Sequence, residues 1–332
     1  MLNIGVIGAG RMGLNHSRNL RQLDTIKLAG VYDILPEKAT AYANGFGAKI
    51  YQSPEELINA KDIGLIIITS PTYCHIEALR IALDAHKPIF CEKPLCRTQE
   101  ELDELIPLIT NYDNFFALGF VRRYSPNFAK MKEVVDSGEL GKLLCGEIRC
   151  LHGRYVRMHG DWFADYDKCG GVMLDMLAHH VDLQNHLIGE AESIYAQSFM
   201  LNQNEDELPF DYVSATARFK NGFISNIQCS WLRNAPSDTE MTICGDKASI
   251  TFSDSKGLLL TKGGKTEKIP VDEAALNIHK IQGGMYAEEM AYIVDAVING
   301  KKPLAGAKEA IDAMTFCFGI MASAETGKLV KF

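Results

Sequence analysis

Two short segments carry side chains whose types and spacing suit proton transfer and charge stabilisation. In the first, Glu92-Lys93-Pro94 follows an apolar run, and a lysine at the end of a buried strand can serve as an active-site cation. In the second, Asp175 and His179 are four residues apart in a helical pattern, which places both on one face. An imidazole with its ordinary pKa of about 6.5 is suited to proton transfer near neutral pH. These residues predict acid–base chemistry on a small molecule.

Simpler interpretations of the same residues stay open at this point. Lys93 also fits a surface lysine before a turn proline, and Asp175 with His179 also fits a structural pair on an apolar helix. A metal site would need three or four ligands, whereas a single helix usually supplies two. Asp182 and His186 extend the polar stripe, but no convincing partner cluster stands elsewhere in the chain, so we predict no metal.

A glycine-rich loop near the N-terminus predicts a dinucleotide site. Gly8-Ala9-Gly10-Arg11-Met12-Gly13 is a G-x-G-x-x-G that follows a strand pattern and opens a helix, which is the context that this motif requires. Gly8 would make the tight turn, Gly10 would leave room for a diphosphate, and Gly13 would let helix and strand pack closely. The helix N-terminus would then attract the diphosphate charge. The alternative is a glycine-rich turn without a nucleotide.

An aspartate at the end of the second strand bears on the choice of coenzyme. Asp33 follows Gly13 by 20 residues, where a carboxylate accepts hydrogen bonds from the adenosine ribose. A carboxylate there also repels a 2′-phosphate, and neither an arginine nor a serine stands beside Asp33 to bind one. We therefore predict NAD as the cofactor in preference to NADP. A solvated aspartate at a strand end is the plainer interpretation.

The elements that must position these residues change character along the chain. The first part alternates short β-branched runs with helical patterns, which predicts a parallel sheet covered on both faces. Ser53 and Thr98 are predicted helix caps, the latter in a capping box with Glu101. The predicted strands are Asn3 to Ile7, Leu28 to Tyr32, Gly64 to Thr69, Pro88 to Cys91 and Phe115 to Gly119.

From about residue 123 strand patterns dominate, which predicts an antiparallel or mixed sheet. Asn221-Gly222 between two strand patterns indicates a hairpin with a type I′ turn. Helices are predicted over Val172 to Leu187, Met285 to Asn299 and Ala307 to Thr326. The predicted strands are Leu143 to Leu151, Ser193 to Leu201, Asp211 to Phe219, Phe223 to Trp231, Met241 to Cys244 and Ala248 to Phe252.

Composition limits the classes of partner. The chain of 332 residues has 47% apolar and 23% charged residues, which is typical of a globular protein of about two domains. Its net charge of −8 argues against nucleic acid or an anionic membrane as a partner, and no apolar run is long enough to span a bilayer. The nine cysteines include no C-x-x-C pair and are interpreted as reduced, buried side chains. Because no signal-peptide pattern precedes the first strand, a cytoplasmic location is expected.

Taken together, the motifs resemble the glucose-fructose oxidoreductase / inositol dehydrogenase (Gfo/Idh/MocA) family. The resemblance covers roughly residues 1 to 190 and rests on the order and spacing of several motifs rather than on one. The matching segments are Gly8 to Gly13, Ser70-Pro71-Thr72-Tyr73-Cys74-His75, Glu92-Lys93-Pro94, Gly119-Phe120-Val121-Arg122-Arg123-Tyr124-Ser125-Pro126, Gly138-Glu139-Leu140-Gly141-Lys142, and Gly170-Gly171 leading to Asp175-x-x-x-His179.

The resemblance implies an α/β protein with two domains. The first, residues 1–122, would be a Rossmann dinucleotide-binding domain. The second, residues 123–332, would be a substrate-binding and oligomerisation α/β domain with an open-faced, mostly antiparallel sheet. The resemblance also implies an active site between the domains and a cis Lys93-Pro94 peptide bond.

Residue roles follow from the matching positions. Lys93 corresponds to the family's active-site lysine, Asp175 to its substrate-binding aspartate and His179 to its catalytic histidine. The predicted substrate contacts are Lys93, Arg122, His152, Asp175 and His179. The predicted cofactor contacts are Gly8, Gly10, Arg11, Met12, Gly13, Asp33, Thr69, Ser70, Pro71, His75, Glu92, Lys93 and Arg122.

The leading functional hypothesis is an NAD(P)-dependent dehydrogenase that oxidises a CH–OH group of a cyclitol or sugar, as inositol 2-dehydrogenases do. His179 would be the general base, and Lys93 would stabilise the alkoxide. An NAD-dependent glycosidase of the same family and a non-catalytic nucleotide-sensing regulator are the alternatives. A polyol or sugar is the expected partner, together with further copies of the chain in a homodimer or homotetramer, because an open sheet face favours self-association.

Overall fold

The structure is a computed structural model, which describes residues 1–152, 162, 165–199, 212–232, 238–272 and 281–332. The chain forms two compact units. One unit comprises residues 1–124 and 274–311, and the other comprises residues 125–273 and 312–332. No helix among the described residues is long and apolar enough to cross a membrane.

The first unit contains a sheet of six parallel strands. They are β1 (Leu2–Ile7), β2 (Ile26–Tyr32), β3 (Lys49–Ile50), β4 (Leu65–Ile68), β5 (Ile89–Cys91) and β6 (Phe116–Leu118). Their order in the sheet is β3-β2-β1-β4-β5-β6, so the direction of winding reverses between β1 and β4. Ligands of such sheets bind beyond the carboxyl ends of the strands at this reversal. The predicted strands and the parallel sheet are confirmed, and the two-residue strand β3 was not predicted.

Helices cover the parallel sheet, and two of them begin at predicted caps. The helices are α1 (Arg11–Leu20), α2 (Pro36–Phe46), α3 (Pro54–Ile58), α4 (His75–Asp84), α5 (Gln99–Thr110) and α10 (Gly284–Asn299). The Ser53 hydroxyl accepts the Glu56 N–H at 3.2 Å, and the Thr98 hydroxyl accepts the Glu101 N–H at 3.2 Å. The Glu101 carboxylate accepts the N–H of Arg97 at 2.6 Å, one residue before the partner that the capping box predicts.

The placement of α10 differs from the predicted domain division. The sequence assigned residues 123–332 to the second domain, whereas residues 274–311 belong to the first unit. The reason is apolar burial, because α10 packs on α1 and its side chains Met290, Ile293 and Val294 join the core of the parallel sheet. A helix that is distant in sequence thus completes the first unit.

The second unit contains a nine-stranded sheet that is mostly antiparallel. Its strands are β7 (Leu143–His152), β8 (Ala191–Phe199), β9 (Tyr212–Phe219), β10 (Ile224–Trp231), β11 (Asp238–Gly245), β12 (Ala248–Ser253), β13 (Gly257–Lys262), β14 (Lys265–Lys268) and β15 (Val330–Lys331). The order is β14-β13-β12-β11-β7-β10-β9-β8-β15, and only β7 and β10 pair in parallel within the described residues. The predicted fold class is confirmed. The predicted ends at Leu201 and Asp211 lie outside the described residues.

The turn types differ from the prediction. Between β9 and β10, the Gly222 N–H donates to Phe219 O at 2.8 Å, and only Gly222 of the pair Asn221-Gly222 takes a positive φ among the described residues. Four residues, Lys220 to Phe223, separate the two strands, and the Phe219 N–H donates to Phe223 O at 2.9 Å, so the predicted type I′ turn is wrong. Two consecutive positive φ values, as type I′ requires, occur instead at Gly263 (58°) and Gly264 (77°), between β13 and β14.

The helices of the second unit include the predicted functional segment. They are α6 (Pro126–Asp136), α7 (Tyr166–Cys169), α8 (Gly171–Asp175), α9 (Leu177–Ile188) and α11 (Ala307–Thr326), and the boundary between the units falls within α11. The single helix predicted over Val172 to Leu187 is therefore wrong, since it is interrupted at Met176. Met176 keeps right-handed helical angles (φ −94°, ψ −47°), so the interruption is confined to one residue.

The two faces of the nine-stranded sheet differ in burial. Ile227 and Cys229 of β10, and Phe223 immediately before this strand, lie on the inner face and are at most 1% exposed. Trp231 is also buried on this side. The outer face carries polar side chains and a few exposed apolar ones, namely Tyr195, Phe199 and Ile224.

Candidate active site

The glycine loop connects β1 to α1 through two close approaches of the backbone. Gly8 has φ +96°, and a Cβ there would lie 2.6 Å from the Ser70 nitrogen. A Cβ on Gly13 would lie 2.1 Å from the carbonyl oxygen of Gly8. Only glycine avoids these overlaps, so the turn and packing roles expected of Gly8 and Gly13 agree with the geometry.

The middle of the loop is open, which suits a diphosphate. A Cβ on Gly10 would meet no described atom within 4 Å. Gly10 precedes the first turn of α1, where Arg11 is exposed and Met12 is half-buried. The first N–H groups of a helix have no partners within the helix and carry positive partial charge. An open cradle at such a helix end therefore fits the diphosphate of a dinucleotide.

Asp33 stands at the end of β2 and holds the glycine loop. One carboxylate oxygen accepts the N–H of Ala9 at 2.7 Å, and the other accepts the N–H of Leu35 at 2.9 Å. The neighbouring Ile34 side chain is 81% exposed. The structure thus adds a structural role for Asp33 to the predicted ribose contact, which remains a prediction.

The loop after β4 lies against the glycine loop. The Thr69 hydroxyl donates to Gly8 O at 2.7 Å, so this predicted cofactor contact is engaged in bracing the loop. The two ring nitrogens of His75 lie 2.8 Å from Pro94 O and 2.9 Å from Ser70 O. Burial lowers the pKa of His75, although both carbonyls oppose this. His75 therefore ties the Ser70-Pro71 segment to the segment after β5, and its contact with a cofactor stays a prediction.

The segment after β5 contains the candidate lysine. Lys93 is half-buried at the carboxyl edge of the sheet, and the Lys93-Pro94 bond is cis, as the resemblance implies. The Glu92 carboxylate faces inward, where one oxygen lies 2.6 Å from His16 Nε2 and the other accepts the Lys93 N–H at 3.1 Å. Burial opposes the charge of Glu92, but the hydrogen bond and charge of His16 lower the pKa of this carboxyl.

Arg122 lies in a 3₁₀ turn, Val121–Tyr124, that follows β6. Its side chain is half-buried, whereas the next residue, Arg123, is buried and donates to Leu304 O. Arg122 is thus at the same edge of the sheet as Lys93, while Arg123 holds the chain in place. The structure brings the first-unit candidates together at the carboxyl ends of the strands.

The second unit holds the remaining candidates. Asp175 ends α8, and His179 lies one turn further along, in α9; both are half-buried. The next residue, His180, is 1% exposed and packs toward Cys150 of β7. His152 ends β7, and its Nε2 lies 3.3 Å from the Thr239 hydroxyl. The two adjacent histidines of α9 therefore differ in access to solvent.

Two of the cysteines that the sequence predicts to be reduced and buried lie side by side on neighbouring strands of the second unit. Cys150 of β7 and Cys229 of β10 are direct partners in the parallel register, and both are buried. A hydrogen bond from Cys229, followed by the charge of His180, lowers the pKa of Cys150, whereas burial raises the pKa of Cys229. The nine thiols are free, as expected, but Cys145 is exposed and Cys74 and Cys244 are partly exposed, so uniform burial is wrong.

Sequence reasoning also missed two residues of the first unit. His16 of α1 and Glu289 of α10 are both buried, and with Glu92 they form a group of potential ligand atoms within 4.8 Å of one another. The sequence does carry a signal for Glu289, since it lies one helical turn after Met285 and one turn before Ile293 and so shares a face with apolar residues. Charged residues in that phase are rarely buried without a specific reason.

The chain matches known oxidoreductases along most of its length. Residues 2–120 match the family described as "Oxidoreductase family, NAD-binding Rossmann fold", and residues 128–251 match the "GFO/IDH/MocA C-terminal domain". The myo-inositol 2-dehydrogenase of Thermotoga maritima is 30% identical over 263 residues, covering 76% of this chain and 75% of that protein. The scyllo-inositol 2-dehydrogenase (NAD(+)) of Bacillus subtilis is 27% identical over 309 residues, covering 90% and 87%.

Solved structures agree with the fold. A levoglucosan dehydrogenase in complex with NADH superposes with a TM-score of 0.87 at 20% identity, covering 99% of this chain and 98% of that one. The predicted enzyme class, an NAD-dependent dehydrogenase, and the predicted cofactor are confirmed. The chain therefore belongs to the Gfo/Idh/MocA family of NAD-binding oxidoreductases, because both of its domains match the family and a relative is 30% identical over most of its length.

Proposed function

We propose that this dehydrogenase oxidises a secondary hydroxyl group of a cyclitol, in the manner of an inositol 2-dehydrogenase, with a sugar as the next candidate. The observation that carries the proposal is the 30% identity to a myo-inositol 2-dehydrogenase over 263 residues, combined with the presence of Lys93, Asp175 and His179 at the matching motif positions. A sensor would need the glycine cradle but not this set of three ionisable side chains.

The roles of the three side chains follow from their chemistry. When bound, NAD supplies the acceptor for the hydride that leaves the substrate carbon. The imidazole of His179 takes the hydroxyl proton, and the ammonium of Lys93 stabilises the developing alkoxide. The Asp175 carboxylate binds an adjacent hydroxyl, which selects substrates with neighbouring hydroxyl groups. The half-buried environments of all three leave them accessible to a small polar molecule.

A substrate screen tests the proposal directly. The purified protein is mixed with NAD and, separately, with inositols, hexoses, anhydrosugars and sugar acids, and NADH absorbance is followed. We expect the highest kcat/KM with an inositol. A sugar that exceeds every inositol would replace the cyclitol as the substrate class, and release of an aglycone without net NADH would identify the glycosidase alternative.

Variants test the residue roles in the same assay. Lys93→Met should lower both turnover and substrate affinity, because the cation contacts the reacting oxygen in the ground state and in the transition state. Asp175→Asn should raise KM more than it lowers kcat. Full activity of either variant would remove that residue from the proposed site.

A further inference from the structure

Three ionisable side chains of the first unit form a closed cluster behind the candidate lysine. His16 of α1, Glu92 after β5 and Glu289 of α10 are 1%, 7% and 0% exposed. His16 Nε2 lies 2.6 Å from a Glu92 oxygen, and one potential ligand atom of each residue lies within 4.8 Å of the others. The rings of Phe90 and Tyr286 pack edge-on against His16, at centroid distances of 5.4 and 6.0 Å.

The cluster contains two carboxyl groups but one imidazole. Both carboxyl oxygens of Glu289 are buried and have no hydrogen-bond partner among the residues that the structure describes. A buried carboxylate without a partner is strongly disfavoured, and a second carboxylate nearby adds like-charge repulsion. Burial, followed by the charge of Glu92, raises the pKa of Glu289 well above its usual value.

The other ionisable groups that face the cluster do not compensate the excess of carboxyl groups over imidazole. Tyr286, on the same helix as Glu289, has its pKa raised to about 12 by burial, so it is neutral. The charges of Arg11 of α1 and Arg122 of the 3₁₀ turn lower the pKa of Tyr286, and the charge of Lys93 lowers the pKa of Glu92. The pKa of Glu289 is raised by burial and by the charge of Glu92, so Glu289 is the side chain that must hold a proton.

We propose that Glu289 is a protonated carboxylic acid in the native protein at neutral pH, and that it acts as a positioning residue for Lys93 through Glu92. With Glu289 neutral, Glu92 keeps its charge for His16 and keeps its second oxygen as the acceptor of the Lys93 N–H, at 3.1 Å. Ionisation of Glu289 would repel the Glu92 carboxylate and disturb the backbone bond that orients Lys93. The positioning role rests on the proposed function of Lys93, whereas the protonation state does not.

Protonation is tested through the pH dependence of stability. A carboxyl whose native pKa is raised contributes stability below its unfolded pKa of about 4.3, and this contribution is lost as the pH rises through the native pKa. Glu289→Gln keeps the shape of the neutral acid and removes the titration. Relative to the wild type, the folding equilibrium constant of Glu289→Gln should therefore increase, by up to about tenfold per pH unit, from pH 5 to pH 8 in urea titrations.

Glu288→Gln is the matched control. Glu288 lies on the same helix, and burial alone raises the pKa of its carboxyl, without a neighbouring carboxylate. Its variant should show a smaller pH-dependent gain than Glu289→Gln. Equal pH-dependent gains in stability for the two variants, or no gain for Glu289→Gln, would contradict the proposal that Glu289 is protonated. A stoichiometric divalent metal in the purified wild-type protein, lost in Glu289→Gln, would also overturn it, because the cluster would then be a cation site.

Positioning is tested through the pH profile of turnover. In the wild type, kcat should fall at alkaline pH as Glu289 ionises, and Glu289→Gln should lack this fall while Glu288→Gln retains it. Identical alkaline limbs in the wild type and Glu289→Gln would overturn the positioning role. If Lys93→Met keeps full turnover, the proposed function fails, but the stability slope of Glu289→Gln still decides the protonation of Glu289.

Discussion

His179 and His180 are adjacent in α9 but lie in different surroundings. His179 is half-buried, and His180 is 1% exposed beside Cys150. A general base must reach the substrate, so the accessible member of the pair is the better candidate. We expect His179→Ala to lower kcat by about 10²- to 10⁴-fold, with little change in NAD affinity. Steady-state kinetics and calorimetric titration of NAD measure the two effects, and a rate near that of the wild type would exclude His179 as the base.

His180 provides the contrasting substitution. From helical geometry alone, His180 is predicted to tolerate substitution, because it points about 100° away from His179. The structure corrects this, because the His180 ring is buried against the sheet. We expect His180→Ala to lower the free energy of unfolding by about 1–3 kcal/mol, since it removes a buried hydrogen-bonding group, and urea denaturation measures this loss. An unchanged midpoint would show that the buried ring contributes little.

Asp33 combines a local structural role with coenzyme choice. Its carboxylate already accepts N–H groups of Ala9 and Leu35, which fixes its orientation at the end of β2. Because a 2′-phosphate would face this charge, NAD should bind at least about tenfold more tightly than NADP. Asp33→Asn keeps one acceptor oxygen and removes the charge, so it should reduce the difference between the affinities for NAD and NADP. Equal affinities of the wild type for the two coenzymes, measured by titration, would contradict the prediction.

At the scale of elements, two glycines at the junction of β1 and α1 have different roles, since Gly13 allows close packing and Gly10 leaves space for a ligand. A Cβ on Gly13 would overlap the backbone at 2.1 Å, whereas a Cβ on Gly10 would meet nothing within 4 Å. We expect Gly13→Ala to lower the free energy of unfolding by about 1–3 kcal/mol and to abolish NAD binding. Gly10→Ala should keep its stability and lose NAD affinity, because its methyl group occupies the space for the diphosphate.

Gly45 supplies the control for these alanine variants. It lies within α2, where an added Cβ would meet nothing within 4 Å. Gly45→Ala should leave NAD affinity unchanged and raise stability by up to about 1 kcal/mol, since alanine favours the helix. Thermal unfolding with and without NAD distinguishes the three variants. A Gly10 variant that binds NAD normally would place the diphosphate elsewhere.

The break between α8 and α9 at Met176 is a feature that the helical periodicity of the sequence does not predict. The 3.6-residue pattern over Val172 to Leu187 is correct in phase, and it predicts that Asp175 and His179 lie one turn apart, as they do in the structure. The pattern could not reveal the break at Met176, whose dihedral angles remain helical. Periodicity reports which residues share a face, whereas the continuity of backbone hydrogen bonds depends on what the helix packs against.

At the scale of the whole molecule, the outer face of the nine-stranded sheet is the candidate for self-association. Tyr195, Phe199 and Ile224 are 39%, 47% and 39% exposed on this face. We propose that an identical face covers it in a homodimer or homotetramer. Light scattering should give a multiple of the 36.8 kDa chain mass. Ile224→Arg should lower that mass, and Leu108→Arg, at an exposed position of α5, should not; a mass of one chain that persists on concentration would contradict the proposal.

The sequence by itself determined the glycine cradle, Asp33 at the end of β2, the five main strands of the parallel sheet and the ends of α11. These features depend on near neighbours along the chain, because turns need particular residues at adjacent positions and helices and strands repeat with short periods. Motif order added Lys93, Asp175 and His179, whose roles remain to be tested.

Only the tertiary structure decided which distant segments meet. It placed α10 in the first unit, brought Glu289 to His16 and Glu92, paired Cys150 with Cys229 and buried His180 while leaving His179 accessible. None of these contacts has a local signature, because strand register and helix docking are selected by the burial of apolar surface summed over the whole core. A side chain's partners and its burial set its protonation state, so the chemistry of the cluster followed from packing that no local pattern encodes.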